Sequence, residues 1–388
     1  MIILDKPYIS DFLLRTLSDN QVPVIQTNVI DELAIATNLN LVSEAEAITI
    51  FGTENSKLLY TNSENSISWI ENNLPHTNLP GKIKLFKNKI IFRDLVHDLY
   101  PSFFYKGIKT KEIEYLDVSR FPLPFIIKPA IGFFSLGVYK VEALGEWEGT
   151  RLAIQNEMEQ IKDLYPPEVL FTGEFIIEEC INGDEFAVDC YFNDAGKAVV
   201  LNIMKHIFSS GKDVNDRVYI TSKEIIESYL GTITEFLSEI GKRAGLRNFP
   251  AHVEVRIDAD GLIAPIEVNP LRFGGWCSTP ELAWYAFGIN LYDYLFRQEE
   301  PDWNALLKGR EELIYSNIVL NNSTGTEGKN IRSFDYEKLL TRFEKPLELR
   351  KADFRKFPLF GFLFCETRAS NFQELEMILM SDLKEFVE

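Results

Sequence analysis

Apolar and polar positions in the first quarter of the chain predict a small α/β unit. Short apolar runs alternate there with amphipathic stretches, until turn residues cluster at 77–81. The predicted strands are residues 2–4, 23–25 and 47–51, and the predicted helix is residues 10–17. Residues 88–97 then carry apolar positions at three- and four-residue spacing, which is typical of a helix. We therefore place the first domain boundary near residue 84.

The middle of the chain has a different pattern, because strand-like runs predominate from Phe125 onward. The predicted strands are residues 125–128, 174–179, 185–192, 198–203 and 218–221, with one more pair flanking a turn at 258–261. Two predicted helices, residues 151–165 and 223–245, separate them. The second ends at Gly245, a residue type that favours a left-handed helix cap. Strands mixed with separated helices indicate α+β modules rather than one doubly wound sheet.

The tail from residue 312 onward alternates again, with a predicted strand at 360–365 and a terminal helix at 371–387. Internal repeats and low-complexity tracts are absent from the sequence. The complete pattern predicts an α/β and α+β protein, with a first boundary near residue 84 and a tail that begins at about residue 312.

Composition narrows the class of protein. A hydrophobic content of 46% allows a large core. The sequence contains neither an apolar run of roughly 18 residues, as a membrane span requires, nor the residue order of a signal peptide, so we expect a cytoplasmic protein. The four cysteines are far apart and include no C-x-x-C pair, which argues against a zinc site or a disulfide framework.

The formal net charge of −18 would repel nucleic acid and anionic membranes, so neither is a predicted partner. Any bound phosphate must therefore meet a local group of cations. The acidity is also explained by solubility alone.

The candidate chemistry begins with a predicted hairpin. Asp260 and Gly261 form a dipeptide suited to a two-residue hairpin turn. A turn centred there places Glu254 opposite Glu267, and it places both side chains on the same face of the sheet as Asn269.

Two carboxylates in that position would repel each other unless a cation lay between them. Glu254, Glu267 and Asn269 offer oxygen ligands, which suit Mg²⁺ or Mn²⁺ better than Zn²⁺. The alternative is that a bulge turns one acid toward solvent. Arg272 follows closely with a planar fork suited to phosphate or carboxylate, and Gly274 lets backbone approach a ligand.

These residues resemble the ATP-grasp superfamily, whose signature places an acid on one strand, Glu-x-Asn on the next, and then proline, arginine and glycine. The matching residues here are Glu254, Glu267, Asn269, Pro270 and Arg272. The resemblance implies a protein that binds ATP with Mg²⁺ or Mn²⁺.

The resemblance also implies the ATP-grasp fold. Two α+β lobes would clasp ATP within residues 85–300, with the small lobe at about 110–182 and the large lobe at about 183–300. Residues 1–84 would form an N-terminal α/β domain of the pre-ATP-grasp kind, and residues 301–388 a C-terminal extension containing strands.

Nucleotide-binding residues follow by similarity. Lys128 and Lys89 match the two family lysines that approach phosphate, and Gly132, Ser135 and Gly137 match the flexible phosphate-covering loop. Phe133 and Phe134 depart from the glycine- and serine-rich composition of that loop.

The family's adenine-binding connection is similar to the segment that begins at Glu178. Main-chain groups from Glu179 to Ile181 would contact the base, and Glu185 would bind ribose hydroxyls. Competing phosphate motifs, the P-loop and the dinucleotide fingerprint, are absent from the sequence.

Two cations and one histidine complete the predicted site. In the family, basic groups from the region of Lys205 and Arg217 approach the transferred phosphate or the substrate carboxylate, and these two residues are assigned as catalytic together with Arg272. A solvated loop with scattered cations is the alternative. His252, opposite Asn269, is expected to hydrogen-bond near the metal rather than to bind it.

The expected activity is an ATP-dependent ligase that activates a carboxylate as an acyl phosphate and joins it to an amine. The expected partners are therefore a small carboxylate and a small amine, and a homodimer is compatible with the family. The alternatives are a phosphotransferase or thioester-forming ligase on the same fold, and an ATP-binding sensor without catalysis.

Overall fold

The structure is a computed structural model, which describes residues 1–32, 38–53, 57–132, 137–161, 171–209 and 217–388. Ser135, Phe133 and Phe134 lie outside the described residues. Within those ranges, no helix combines the length and the apolar character that crossing a membrane requires.

The N-terminal unit is a four-stranded sheet in the order β3-β2-β1-β4, and all its described strand pairs are parallel. Its elements are β1 (Ile2–Ile3), α1 (Asp11–Asp19), β2 (Pro23–Gln26), α2 (Asn28–Glu32), β3 (Asn40–Ser43), α3 (Glu44–Thr53), β4 (Tyr60–Thr61), α4 (Ile67–Asn73), α5 (Leu79–Lys87) and α6 (Lys89–Val96). Asn88 caps α6, because its side chain accepts from the N–H groups of Ile90 and Ile91.

One predicted strand of this unit is wrong. Residues 47–51 lie inside α3 instead. Ala47 and Phe51 are both buried, and their four-residue spacing puts them on one face of a helix. A short apolar run fits a buried strand and a buried helix equally well, which explains the error.

The small lobe is an antiparallel sheet in the order β5-β8-β6-β7. Its elements are β5 (Tyr105–Lys109), β6 (Phe125–Ile131), β7 (Tyr139–Val141), α7 (Trp147–Ile161) and β8 (Phe171–Glu179). A separate hydrophobic cluster fills this lobe, while a second cluster runs through the rest of the described chain. The small lobe therefore has a hydrophobic core of its own.

The large lobe contains an eight-stranded sheet in the order β13-β12-β9-β10-β11-β14-β16-β15. Its elements up to residue 300 are β9 (Asp184–Phe192), β10 (Ala198–Ile207), β11 (Val218–Ser222), α8 (Lys223–Ala244), β12 (Phe249–Ile257), β13 (Ile263–Pro270), α9 (Ser278–Phe287) and α10 (Leu291–Arg297). The remaining elements are α11 (Trp303–Leu306), β14 (Leu313–Asn321), α12 (Tyr336–Leu340), β15 (Lys345–Lys351), β16 (Leu359–Arg368) and α13 (Gln373–Met380). The C-terminal strands therefore extend the sheet of the large lobe across residue 300.

The sequence explains where two of the helices end. Gly245 ends α8 in a left-handed conformation, with φ of 60°, as its residue type predicts. The terminal helix α13 is shorter than the predicted 371–387 and stops at Met380. Leu383 then has a positive φ of 61°, which a helix cannot continue through.

Candidate active site

The hairpin of β12 and β13 brings two acids together. Glu254 pairs with Glu267, and His252 pairs with Asn269. The neighbouring strand β9 places Asp189 beside His252. Because side chains alternate along a strand, all five residues lie on one face of the sheet. The predicted pairing of the two acids is confirmed.

The turn of this hairpin is not the predicted one. The strands pair Ile257 with Ile263, so the connection is longer than two residues. A bulge compensates, since Glu254 pairs with Glu267 while Val255 pairs with Pro265. A regular ladder continued from this turn would place the two acids on opposite faces.

Glu267 is held by a lysine and an amide. Its Oε2 lies 3.2 Å from Nζ of Lys89, and its Oε1 accepts a 3.0 Å hydrogen bond from Nδ2 of Asn269. Burial alone would raise the pKa of Glu267, but the ammonium groups of Lys89 and Lys87 outweigh it and lower that pKa to about 2. Glu267 is therefore ionised at neutral pH.

Asp189 lies beside the acid pair on the same face of the sheet, and it was not predicted from the sequence. It is fully buried, and its Oδ1 accepts a 2.9 Å bond from the backbone N–H of Gly274 and lies 2.7 Å from Nδ1 of His252. Nε2 of the same imidazole lies 3.8 Å from Oε1 of Glu254. Period two could have found Asp189, since it lies four residues after Glu185 in one strand.

The donor set suits a hard cation. Among the residues that the structure describes, no three His, Cys, Asp or Glu side chains are close enough to hold a metal between them. A metal ion at the acid pair would instead take two carboxylates and one amide oxygen, from Glu254, Glu267 and Asn269. That number fits Mg²⁺, which usually keeps several water molecules and takes phosphate oxygens from its substrate.

Lys128 and Glu178 form a buried ion pair at the base of the small lobe. Nζ of Lys128 lies 2.7 Å from Oε2 of Glu178, and Arg93 donates to the other carboxylate oxygen. Burial would raise the pKa of Glu178, yet Lys128 and Arg93 lower it to about 2. Arg93 lies four residues after Lys89 on α6, so helical spacing could have indicated it.

Arg272 bonds to a carboxylate from the N-terminal unit. Its Nη2 lies 2.8 Å and its Nε 3.2 Å from Oε1 of Glu64, while Nη1 donates to the carbonyl of Phe273. Nζ of Lys87 lies 2.6 Å from the other oxygen of Glu64. Burial tends to lower the pKa of Arg272, but the Glu64 carboxylate outweighs it and raises that pKa, so the guanidinium stays charged.

The described ends of the predicted phosphate-covering loop contact the site. Nζ of Lys89 donates a 3.3 Å bond to the carbonyl of Gly132. Gly137 has φ of 71°, and a Cβ there would lie 2.8 Å from Cε of Met158 and 3.0 Å from Cγ of Pro129. Only glycine suits this conformation and this close approach.

The predicted adenosine contacts lie where β8 leads into β9. The N–H of Glu179 donates to the carbonyl of Phe104. Arg256 donates to the carbonyl of Ile181 at 3.0 Å and to Oε2 of Glu185 at 3.0 Å. This arginine therefore joins the connection between β8 and β9 to the carboxylate that was predicted to bind ribose.

His206 contacts the other oxygen of Glu185, with Nδ1 3.1 Å from Oε1. Its ring stacks on Tyr219, with centroids 4.3 Å apart. Burial would raise the pKa of Glu185, but His206 and Arg256 lower it overall.

The structure does not bring Lys205 to the acid pair. It pairs with Phe186, and Phe186 pairs with Val255, whereas Glu254 pairs with Ala187 in the adjacent row. Lys205 therefore lies on the opposite face of the sheet, where its Nζ is 2.5 Å from Oδ2 of Asp184.

Arg217 is also engaged elsewhere. Its Nη1 donates to the carbonyls of Ile378, Leu379 and Ser381 at the end of α13, and its Nη2 donates to Oγ of Ser323 at 2.8 Å. An arginine in this position satisfies the carbonyl groups that a helix leaves without partners. These contacts place the Arg217 guanidinium at the end of α13, and the assignment of Arg217 as a catalytic group stays a prediction.

Comparison with known proteins gives the same fold. The family model of the ATP-grasp domain matches residues 121–280. An L-amino acid ligase from Bacillus licheniformis is 18% identical, with a TM-score of 0.68 over 100% of this chain and 97% of that one. N5-carboxyaminoimidazole ribonucleotide synthetase from Thermotoga maritima is 14% identical, with a TM-score of 0.63 over 100% and 98% of the two chains.

A third structure carries a nucleotide. The biotin carboxylase domain of Hydrogenobacter thermophilus 2-oxoglutarate carboxylase, solved with MgADP, ADP and bicarbonate, is 11% identical, with a TM-score of 0.62 over 100% of this chain and 90% of that one. No curated protein matches the sequence.

Fold and site together define a two-lobed α+β protein in which paired acids face a group of buried cations. The chain has the ATP-grasp fold, and its residues 121–280 match the model of the ATP-grasp domain. The fold class that the sequence predicts is therefore confirmed.

Proposed function

We propose that the protein is an ATP-dependent ligase. A carboxylate substrate would attack the γ-phosphate of ATP to give ADP and an acyl phosphate. An amine would then attack the acyl carbon and release phosphate, leaving an amide bond. Small carboxylates and small amines are the substrate class that this chemistry requires.

The cations at the phosphate end of the site support this proposal. Lys89, Lys128 and Arg272 are three cations with side chains 10%, 10% and 14% exposed, so their charges act where water screens them little. Each is held in place by a glutamate. Phosphoryl transfer needs positioned positive charge more than covalent chemistry, and these residues would provide it.

Glu254, Glu267 and Asn269 would hold Mg²⁺ next to those cations. When bound, the metal would offset charge on the phosphate oxygens. The single observation that carries the proposal is the pairing of Glu254 with Glu267 on one face, because two adjacent carboxylates offer the hard oxygen ligands that Mg²⁺ prefers.

The adenosine end would use the connection between β8 and β9. Main-chain groups between Glu179 and Ile181 would contact the base, and Glu185 would accept hydrogen bonds from ribose hydroxyls. Arg256 and His206 already hold the Glu185 carboxylate in a fixed place. A carboxylate fixed in advance loses less conformational entropy when it binds.

Ligases of known structure support the same class. The L-amino acid ligase and the carboxyaminoimidazole ribonucleotide synthetase cover this chain from end to end. At 18% and 14% identity they share its fold, and the proposal that this chain joins a carboxylate to an amine rests on the site residues.

A screen of ADP release tests the proposal. Amino acids and other small carboxylates are supplied singly and in pairs with Mg-ATP, and the products are identified by mass. We expect one pair to stimulate ADP release and to give a product lighter by one water than its two substrates. A stable phosphorylated product or a thioester would indicate a different reaction, and ATP binding without stimulated ADP release would indicate a sensor.

A further inference from the structure

The side chain that holds Arg272 belongs to the N-terminal unit, outside both lobes. Glu64 is separated from Arg272 by 208 positions, and one of its oxygens contacts both Nε and Nη2 of the guanidinium. A contact to two nitrogens of a planar group fixes its rotation as well as its position. Glu64, together with the Phe273 carbonyl that accepts from Nη1, therefore sets the direction in which Arg272 points.

Backbone contacts lock the same two segments together. The N–H of Thr61 in β4 donates a 2.8 Å bond to the carbonyl of Leu271, and Tyr60 Oη accepts a 3.4 Å bond from the N–H of Phe273. Leu271 has φ of 62°, a left-handed conformation that a leucine rarely adopts. Hydrogen bonds from the N-terminal unit thus hold the residues on both sides of Arg272.

Charge makes Glu64 an unexpected neighbour for a triphosphate. Its carboxylate is ionised, because Lys87 and Arg272 outweigh the effect of burial and lower its pKa to about 2. A carboxylate with no other task would only repel phosphate. Lys87 contacts the other oxygen of Glu64 at 2.6 Å and offsets that repulsion, which leaves the orientation of Arg272 as the contribution of Glu64.

We propose that Glu64 is a positioning residue that aims the Arg272 guanidinium at the terminal phosphate of ATP, so that the N-terminal unit completes the phosphate site. This inference rests on the proposed function, in which Arg272 contacts that phosphate. It assigns the N-terminal unit a part in ATP recognition.

Selectivity between two nucleotides tests the proposal. Mg-ADP and the magnesium complex of the non-hydrolysable analogue AMP-PNP are titrated by calorimetry into the full chain and into Glu64→Gln. The ratio of the two dissociation constants measures how strongly the protein recognises the terminal phosphate. We expect Glu64→Gln to reduce this selectivity by about tenfold, the value of a lost contact to a charged group.

Two alternative roles of Glu64 predict different changes in this ratio. If Glu64 only repels phosphate, Glu64→Gln binds AMP-PNP more tightly and selectivity rises. If Glu64 only stabilises the domain contact, both affinities fall together and selectivity stays constant. Either result overturns the proposal. The ratio is independent of the folded fraction, because both nucleotides are titrated into the same preparation; should Glu64→Gln not fold, Glu64→Asp withdraws the carboxylate by one methylene and is measured in the same way.

A double-mutant cycle shows whether Glu64 acts through Arg272. Arg272→Lys keeps the charge and removes the planar fork. We expect Glu64→Gln combined with Arg272→Lys to be no less selective than Arg272→Lys alone, since the second change removes what Glu64 positions. Additive losses would contradict this.

The matched control weakens the same domain contact at another place. Asn20 donates a 2.8 Å hydrogen bond to Asp293 and accepts one of 2.8 Å from Arg297. Both partners are residues other than those that contact Arg272. Asn20→Ala is expected to leave nucleotide selectivity unchanged. The proposed function is judged separately by stimulated ADP release, so a wild-type protein that selects AMP-PNP but joins no substrates would refute the ligase and leave the role of Glu64 standing. A wild-type protein without selectivity would refute the role of Glu64.

Discussion

Cations in two regions of this protein look alike in the sequence and behave differently in the structure. At the phosphate end, Lys89 and Lys128 are buried and each contacts a buried or partly buried glutamate. Around β10 and β11, Lys205 contacts an exposed aspartate and Arg217 binds the end of a helix. Lys128 and Lys205 both lie in strands, β6 and β10, that were predicted from the sequence. Position in a strand therefore does not distinguish a buried lysine of the proposed phosphate site from a lysine paired at the surface.

The face of the sheet from which a side chain projects explains why Lys205 does not reach the site. His206 lies on the same face as Glu185, which it contacts at 3.1 Å, whereas Lys205 lies one position earlier and points to the other face. A shift of one residue along the strand decides whether a basic side chain faces Glu185. Variants of the two regions should therefore differ by orders of magnitude in their effect on catalysis.

The largest effect is expected at the acid pair. Glu267→Gln keeps the size of the side chain and removes the charge that would bind the metal. We expect substrate-stimulated ADP release to fall by about 10² to 10³-fold, the usual loss when a group that stabilises developing charge is removed. The measurement is steady-state ADP release at saturating Mg-ATP.

Raising the magnesium concentration serves as the control for that variant. A weakened metal site is expected to recover part of its rate at high Mg²⁺, since occupancy follows mass action. Full activity of Glu267→Gln at ordinary Mg²⁺ would refute the proposed mechanism.

The pairing of the two acids in the hairpin was predicted correctly, although the turn behind that prediction was not. The prediction placed Glu254 opposite Glu267 by assuming a two-residue turn, and that turn is wrong. The real connection is longer, and the extra residue at Ile266 restores the register. A bulge depends on packing between strands, which no local pattern reveals, so the correct pairing resulted from two compensating deviations.

Three further residues of the site differ in how far the sequence could indicate them. Asp189 and Arg93 follow the periodicity of a strand and a helix that were predicted, so both were accessible to sequence reasoning. Glu64 was not, because its contact with Arg272 depends on how the N-terminal unit docks. Contacts between units that are far apart in the chain leave no local signal.

A second variant tests the buried ion pair of the small lobe. Glu178→Gln leaves Lys128 and Arg93 without their shared carboxylate, and breaking a buried pair in this way costs about 3–5 kcal/mol of unfolding free energy. Chemical denaturation of wild type and variant measures the difference. An equal loss in Asp184→Asn, which removes the exposed partner of Lys205, would erase the contrast between the two regions.

Acid should reveal the same carboxylate. The pKa of Glu178 is lowered from 4.5 to about 2 in the folded protein, so its contribution to stability is present above pH 4.5 and is lost as the pH falls toward 2. The variant cannot titrate at this position. Its stability is expected to fall less than that of wild type over this range, and parallel curves would show that Glu178 is not ionised in the fold.

A smaller effect, on stability alone, is expected at Arg217. Arg217→Met removes the donors to the carbonyls at the end of α13. The expected loss is about 1–3 kcal/mol, the cost of leaving buried acceptors unsatisfied, with faster hydrogen exchange in α13. Nucleotide affinity is expected to stay constant. A variant of normal stability that binds Mg-ATP poorly would support a role of Arg217 in the nucleotide site.

The smallest effect is expected at Lys205, and it is the sharpest test of the comparison. Its side chain is 30% exposed and its partner Asp184 is 56% exposed, so the ion pair is worth about 0.2–1 kcal/mol after solvent screening. Lys205→Met should change stimulated ADP release by less than about twofold, because the ammonium lies across the sheet from the acids. His206→Gln, one position along on the other face, is the matched control and should weaken Mg-ATP binding through Glu185. A loss of turnover in Lys205→Met as large as that in Glu267→Gln would mean that the facing of side chains along β10 does not separate catalytic from structural cations.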